Sequence, residues 1–235
     1  MTTAVLRSAQ AGAVLTSLSV GGARHVTMPL ASATQVALSR LTRILLLVAV
    51  ALCLGAPTAG AVPAKKLDSN LAALWTTILQ TPSAQNSFGS GGAAFACWDL
   101  GGTVAPFALN GVESCTVKPG TKIFVAASSV ECSTFEGNGT TYAALRTCAE
   151  QGDVQQAPSV TVDGLSVPVA EVETPLLNIT LPADNIFGEP AETQGLSVGH
   201  GWVTLLHPLT PGTHTIKIHT ATSDIRTTIV VQPGH

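Results

Sequence analysis

Charge is scarce in this sequence: Asp, Glu, Lys and Arg make up 11% of its residues, against about 25% in an ordinary soluble domain. Aromatic residues are scarcer still, at 4%, so a tryptophan here is expected in the core before it is expected on a binding surface. No stretch clusters Lys and Arg, which removes the electrostatic footprint that a phosphate backbone requires and excludes a nucleic-acid partner. No Cys-x-x-Cys pair occurs, so the spacing of a four-thiolate zinc site is missing. The glycine-serine loop at 85–92, QNSFGSGG, is not followed by Gly-Lys-Ser/Thr and no strand precedes it, which excludes a phosphate cradle. There is no internal repeat, coiled coil or low-complexity tract.

What the chain does have begins with an apolar segment. Residues 40–61, RLTRILLLVAVALCLGAPTAGA, combine a positive flank (Arg40, Arg43), an apolar stretch from Ile44 to Leu54 and small residues, Ala59 and Ala61, at a cleavage site. This is the pattern of a secretory signal peptide. The apolar run is shorter than the roughly 20 residues that span a bilayer and ends in Gly55, Pro57 and Gly60, so stable membrane insertion after cleavage is not expected. Cys53 follows Leu52 inside that stretch, which does not suit a lipoprotein anchor. Translation is expected to start at Met28, with residues 1–27 outside the product.

Beyond residue 61 the balance of charge changes. All fourteen acidic residues lie there, whereas four of the eleven basic ones precede it, leaving seven basic residues and a net charge of −7. The remaining chain is long enough for one domain, 67–235, with 62–66 as a short linker. Its four cysteines, Cys97, Cys115, Cys132 and Cys148, form an even set in an exported chain and predict two disulfides. Four cysteines allow three connectivities; Cys97 with Cys115 and Cys132 with Cys148 is preferred because each closes a short loop.

Leu71, Leu74, Trp75, Ile78 and Leu79 recur at helical spacing, with Asp68 or Ser69 as N-cap and Pro82 as the stop. That helix has no basic residues on its polar side, so it is expected to pack on the domain rather than on a membrane. Strands are expected at 93–98, 103–109, 121–130, 159–169, 176–181, 202–206, 213–220 and 225–231, separated by Gly, Pro, Asn and Asp. Within 161–167, TVDGLSV carries the Asp-Gly signature of a tight hairpin. A short helix is expected at 141–150. This pattern predicts an all-β fold, an immunoglobulin-like or jelly-roll-like β-sandwich with one N-terminal amphipathic helix and one short internal helix.

Candidate chemistry is sparse. GLSVG, 195–199, matches Gly-x-Ser-x-Gly with Ser197 as a nucleophile and His200 nearby. The strand-turn-helix context of that motif is absent, only Asp224 follows as a later acid, and the segment reads as a glycine-rich loop. His200, His207 and His214 have no standard ligand spacing, and no metal or other cofactor is expected. Trp98 and Trp202 could form a sugar-stacking platform, with the core as the commoner fate. In the terminal hairpin, alternation puts His214, Ile216 and Ile218 on one face and Thr215, Lys217 and His219 on the other.

The strand between Cys115 and Cys132 ends in Glu131, with Glu136 across the following turn. Alternation places Ile123, Val125, Ala127, Ser129 and Glu131 on one face. Two carboxylates flanking one loop could carry acid/base catalysis or hold Ca²⁺. The plainer expectation is that Glu131 caps a strand end at the rim or pairs with Arg146, in a loop stapled by Cys132 and Cys148.

The segments CTVKPGTKIFVAASSVECSTFEGNG, LRTCAE, VTVDGLSVPV, GWVTLLHPLTPGTHTI and LWTTILQTPSAQN resemble those of a widespread group of secreted bacterial proteins that carry no assigned activity. The resemblance covers roughly residues 70–232 and implies export and a single β-rich domain, with no functional residues to transfer; VAASS replaces bulkier residues common after the Pro-Gly turn. The sequence therefore predicts an exported, monomeric binding or interaction module for an unknown protein or glycan ligand. The alternative is a small exported enzyme acting on cell-envelope glycans through Glu131 and Glu136, and a third reading is a bare envelope structural protein.

Overall fold

A computed structural model describes residues 64–109 and 111–234. The signal peptide and its cleavage site lie outside the described residues. Helix α1, Ala64–Gln80, starts four residues before the predicted cap, so the end of the predicted linker is helical. Its Leu71, Leu74 and Ile78 are fully buried, each contributing about 1.5–3 kcal/mol of transfer free energy. The helix stops where Asn86 takes over its last carbonyls: the buried amide Nδ2 donates to Ile78 O at 2.6 Å and to Thr81 O at 3.3 Å.

Eleven strands follow among the described residues: β1 Cys97–Asp99, β2 Thr103–Pro106, β3 Ser114–Val117, β4 Lys122–Ser133, β5 Ser159–Val162, β6 Leu165–Val167, β7 Ala170–Glu173, β8 Leu177–Thr180, β9 Gln194–Leu206, β10 Gly212–His219 and β11 Asp224–Val231. One sheet runs β1-β2-β4-β9-β7, with β8 also paired to β9; the other runs β3-β11-β10-β5-β6. Among the described residues the fold is thus mostly β, with two sheets and two short helices. The second helix, α2 (Tyr142–Gly152), is capped by Thr141, whose Oγ1 accepts from Ala144 N at 3.2 Å.

Two differences from the sequence reading matter for the site. The stretch 93–98 is not one strand: a 3-10 turn, Gly92–Phe95, precedes the short β1. More consequentially, GLSVG is not a loop. It lies within the long strand β9, whose partner β4 continues through Glu131 to Ser133. The short strands β3 and β7 went unpredicted; each has only four residues, too few to show a period of two convincingly.

The first sheet is covered on both faces. Phe124 and Ala126 of β4 and Val203 and Leu205 of β9 pack with α1 in one core. On the opposite face, Ile123, Val125 and Ala127 join Ile216, Ile218, Ile229 and Val231 of the second sheet in another. A smaller cluster of Cys132, Val198, Leu145 and Ala149 lies under α2.

A β-bulge divides β4. Ala126 pairs with Val203 and Ser128 with Trp202, leaving Ala127 as the extra residue. One inserted residue exchanges the two faces of everything beyond it. The predicted common face from Ile123 to Glu131 is therefore broken: Ile123, Val125 and Ala127 face the second sheet, whereas Ser129 reaches the α1 side, where its Oγ accepts from Trp75 Nε1 at 2.9 Å.

Disulfides Cys97–Cys115 and Cys132–Cys148 are formed, with Cα–Cα separations of 5.8 and 6.0 Å. The first joins β1 to β3, and the second joins β4 to α2. The Asp-Gly hairpin joins β5 to β6, with Asp163 at φ 51° and Gly164 at φ 84°, the left-handed pair that such a turn requires.

Candidate functional site

The β4–β9 ladder carries two acid clusters, one on each face, with Asp153 buried and Glu131 half-buried. On the α1 face, Ser133 pairs with Ser197 and Glu131 with Gly199 across the strands. Ser197 is fully buried, and its Oγ donates to Glu131 Oε1 at 2.5 Å. Removal from water pushes the Glu131 carboxyl up to about 8; the Ser197 hydroxyl opposes the shift, and the Glu136 charge adds to it. The Ser133 hydroxyl is itself buried without a hydrogen-bond partner of its own among the described residues. Partial desolvation also raises the Glu136 carboxyl, although the residue as a whole is exposed.

These contacts correct the sequence reading of Glu131. It neither ends its strand at an open rim nor pairs with Arg146. The Arg146 Nε instead donates to Glu173 Oε2 at 2.6 Å, and Tyr142 Oη donates to Glu173 Oε1 at 2.6 Å, clamping α2 to β7. Arg146 is thereby held above the usual guanidinium range, first by that hydrogen bond and then by the Glu173 charge. The bulge explains the error, because it sends Glu131 to the helix-covered face.

The closeness of α1 to the ladder has a cause in the sequence. A methyl group at Gly199 would collide with the Trp75 ring, one at Gly201 with the Ser128 carbonyl, and one at Gly195 with Phe135. The glycines that resemble a loop are the flat part of a strand on which the helix and its aromatic neighbours rest.

On the opposite face, Asp153 is buried beside His200. Asp153 Oδ2 lies 3.1 Å from His200 Nδ1; Oδ1 accepts from Ser128 Oγ and, at 2.8 Å, from Val154 N. His200 Nε2 lies 3.4 Å from Glu171 Oε1. A hydrolytic triad needs the histidine between serine and acid. Here the carboxylate sits in the middle and the serine hydroxyl donates to it, so the order is wrong for activating an oxygen nucleophile. Neither Asp153 nor Ser128 was a sequence candidate; nothing in the local pattern marks them, since the pairing joins β4 to the end of α2.

The remaining candidates separate. His214 binds Asp163 Oδ2 and Thr210 O at 2.7 and 2.8 Å, His219 binds Asp224 at 2.7 Å, and His207 is exposed. Among the described residues, no three His, Cys, Asp or Glu side chains converge as a metal site. Trp98 lies in the α1 core and donates to Phe107 O at 2.8 Å, whereas Trp202, on the other face of the sheet, donates to Val154 O at 3.0 Å. Occupying opposite faces, they form no sugar platform.

A concave surface lies elsewhere, on the second sheet. A groove of about 420 Å³ is lined by Ser159, Thr161, Lys217, His219, Asp224 and Arg226. Strand pairing sets these in two rows: Thr161, Lys217 and Arg226 side by side, then Ser159, His219 and Asp224. Lys217 and Arg226 are exposed and make no ion pair among the described residues. The predicted alternation of β10 holds, with Ile216 and Ile218 buried and Lys217 and His219 exposed.

No protein-family model and no curated protein matches the sequence. A solved structure described as "Solution Structure of Amebosin" aligns at 9% identity over 55% of this chain and 96% of that one, with a TM-score of 0.22. A superposition that loose does not define a shared fold.

Two disulfides suggest an oxidising, extracytoplasmic environment. No helix among the described residues is long and apolar enough to cross a membrane.

Proposed function

We propose that this chain is a secreted, monomeric binding or interaction module, immunoglobulin-like or jelly-roll-like in type, whose ligand is held outside the cytoplasm. The signal-peptide pattern and the resemblance to a group of secreted bacterial β-rich proteins support export. The observation that carries the binding role is a contrast of places. The exposed groove and its unpaired cations lie on the second sheet, whereas Glu131 lies on the α1 side of the first sheet against a fully buried serine.

A second reading retains one specific observation in its favour. Glu131 is a carboxyl raised to about 8 with Glu136 in electrostatic reach, and an acid protonated at neutral pH is what a glycosidase uses to protonate its leaving group. Incubating the exported protein with purified cell-envelope glycan separates the two. A binding module retains glycan or protein without releasing soluble reducing ends. Release by the wild type that disappears in a folded Glu131→Gln variant would establish the enzyme instead.

A further inference from the structure

We propose that the groove on the outer face of β5, β10 and β11 is a site for a carboxylated sugar, with Lys217 and Arg226 holding the carboxylate and Ser159 and Thr161 meeting neighbouring hydroxyls. The inference rests on the binding-module reading and names its ligand chemistry. Lys217 and Arg226 are directly paired across adjacent strands, whose backbones lie about 5 Å apart. Like charges directly opposite one another destabilise a sheet, and two of the seven basic residues beyond residue 61 stand in this arrangement, in a segment of net charge −7.

The carboxylate in the groove's own lining is already engaged. Asp224 lines the same groove, but its Oδ1 is held by His219 Nδ1 at 2.7 Å. Lys217 and Arg226 therefore have no intramolecular counter-ion among the described residues. An anion supplied from outside relieves their repulsion, and the planar Arg226 guanidinium favours the two-oxygen geometry of a carboxylate.

The rest of the groove selects a sugar over a simple anion. The row of Ser159, His219 and Asp224 lies two residues along the strands from the cationic row, about 7 Å away. That is a sugar ring's reach from a carboxylate to the hydroxyls on its far side. Phosphate alone would satisfy the cations and leave the Ser159, Thr161 and His219 groups to water. A nucleic acid is disfavoured by the acidity of the segment.

The test uses the chain beyond residue 61, with both disulfides formed, labelled with nitrogen-15 and titrated with tetragalacturonate, with neutral maltotetraose and with inorganic phosphate. Saturable amide shifts centred on Thr161, Lys217 and Arg226 are expected with tetragalacturonate only. Lys217→Ala and Arg226→Ala should each weaken binding by about tenfold, with unfolding transitions close to wild type because both positions are exposed. Equal shifts with maltotetraose would remove the carboxylate from the proposal, and equal shifts with phosphate would reduce the site to a simple anion pocket. Saturable shifts mapped to other residues would overturn the groove while leaving a binding module. Absence of shifts with all three probes would overturn the carboxylated-sugar inference, and the glycan-release assay would still decide between module and enzyme.

Discussion

The two faces of the β4–β9 ladder each hold an acid beside a serine, Asp153 buried and Glu131 half-buried, yet they provide for it differently. Asp153 receives a serine hydroxyl, a backbone N–H and an imidazole nitrogen. Glu131 receives the Ser197 hydroxyl, makes no ion pair among the described residues, and feels the negative charge of Glu136. The difference teaches that burial alone does not decide what a carboxyl does in this fold; the number of partners it is given does. Asp153 is a structural knot joining β4, β9 and the end of α2, whereas Glu131 is a carboxyl held in its neutral form.

The largest effect should come from undoing the knot. Asp153→Ala leaves Ser128, Val154 N and His200 without their common acceptor in a buried setting, and should reduce unfolding free energy by about 3 kcal/mol or more in urea titration. A change well below that would mean that water replaces the carboxylate, and the two faces would no longer differ as described. Somewhat smaller is the contribution of the Cys132–Cys148 bond, which ties the same face to α2 across a separation of 16 residues. The double variant Cys132→Ala, Cys148→Ala should lose about 3 kcal/mol by the loop-closure argument.

The Glu131 side makes the opposite kind of prediction. Its pKa is higher folded than unfolded, so the native state holds a proton that the unfolded chain has released. Stability contributed at this position should fall as pH rises from about 4.5 to about 8. Glu131→Gln keeps a neutral acceptor for Ser197 at every pH. It should match wild type to within about 1 kcal/mol at acidic pH, below the unfolded value, and flatten the decline, so that the variant becomes progressively more stable than wild type as pH rises from about 4.5 to about 8. Denaturant unfolding at a series of pH values reads this directly; parallel curves for the two proteins would refute a neutral Glu131.

Much of this architecture was legible in the sequence, and the failures have physical causes. The α1 stripe, the Asp163-Gly164 hairpin, the Thr141 helix and the disulfide pairing follow from short-range rules. The site did not, because two long-range facts intervened. One residue, Ala127, bulges out of register and exchanges the faces of Ser129 and Glu131, and a bulge depends on the partner strand as much as on its own. Gly199 and Gly201 looked like loop residues because the ring and backbone that require their missing side chains, Trp75 and the Ser128 carbonyl, come from elsewhere in the chain. The groove depended on register as well: Lys217 and Arg226 become neighbours only when β10 and β11 pair.

The smallest effect extends the comparison to solvent. Asp163 and His214 repeat the acid-imidazole contact of Asp153 and His200, but Asp163 is exposed at a turn, where it also accepts from Thr215 N at 2.8 Å. The hydrogen bond to Asp163 raises the His214 pKa above 6.5, and the same bond lowers that of Asp163. A histidine raised on folding contributes stability that is fully present below its unfolded pKa and is lost as pH rises through the folded one. Solvent screening keeps that contribution small, so the readable quantity is the titration rather than the stability. In a proton NMR titration, the His214 ring should titrate above 6.5, and Asp163→Asn should move it back toward that value. An unchanged midpoint in the variant would show that the Thr210 carbonyl, 2.8 Å from Nε2, holds the proton by itself.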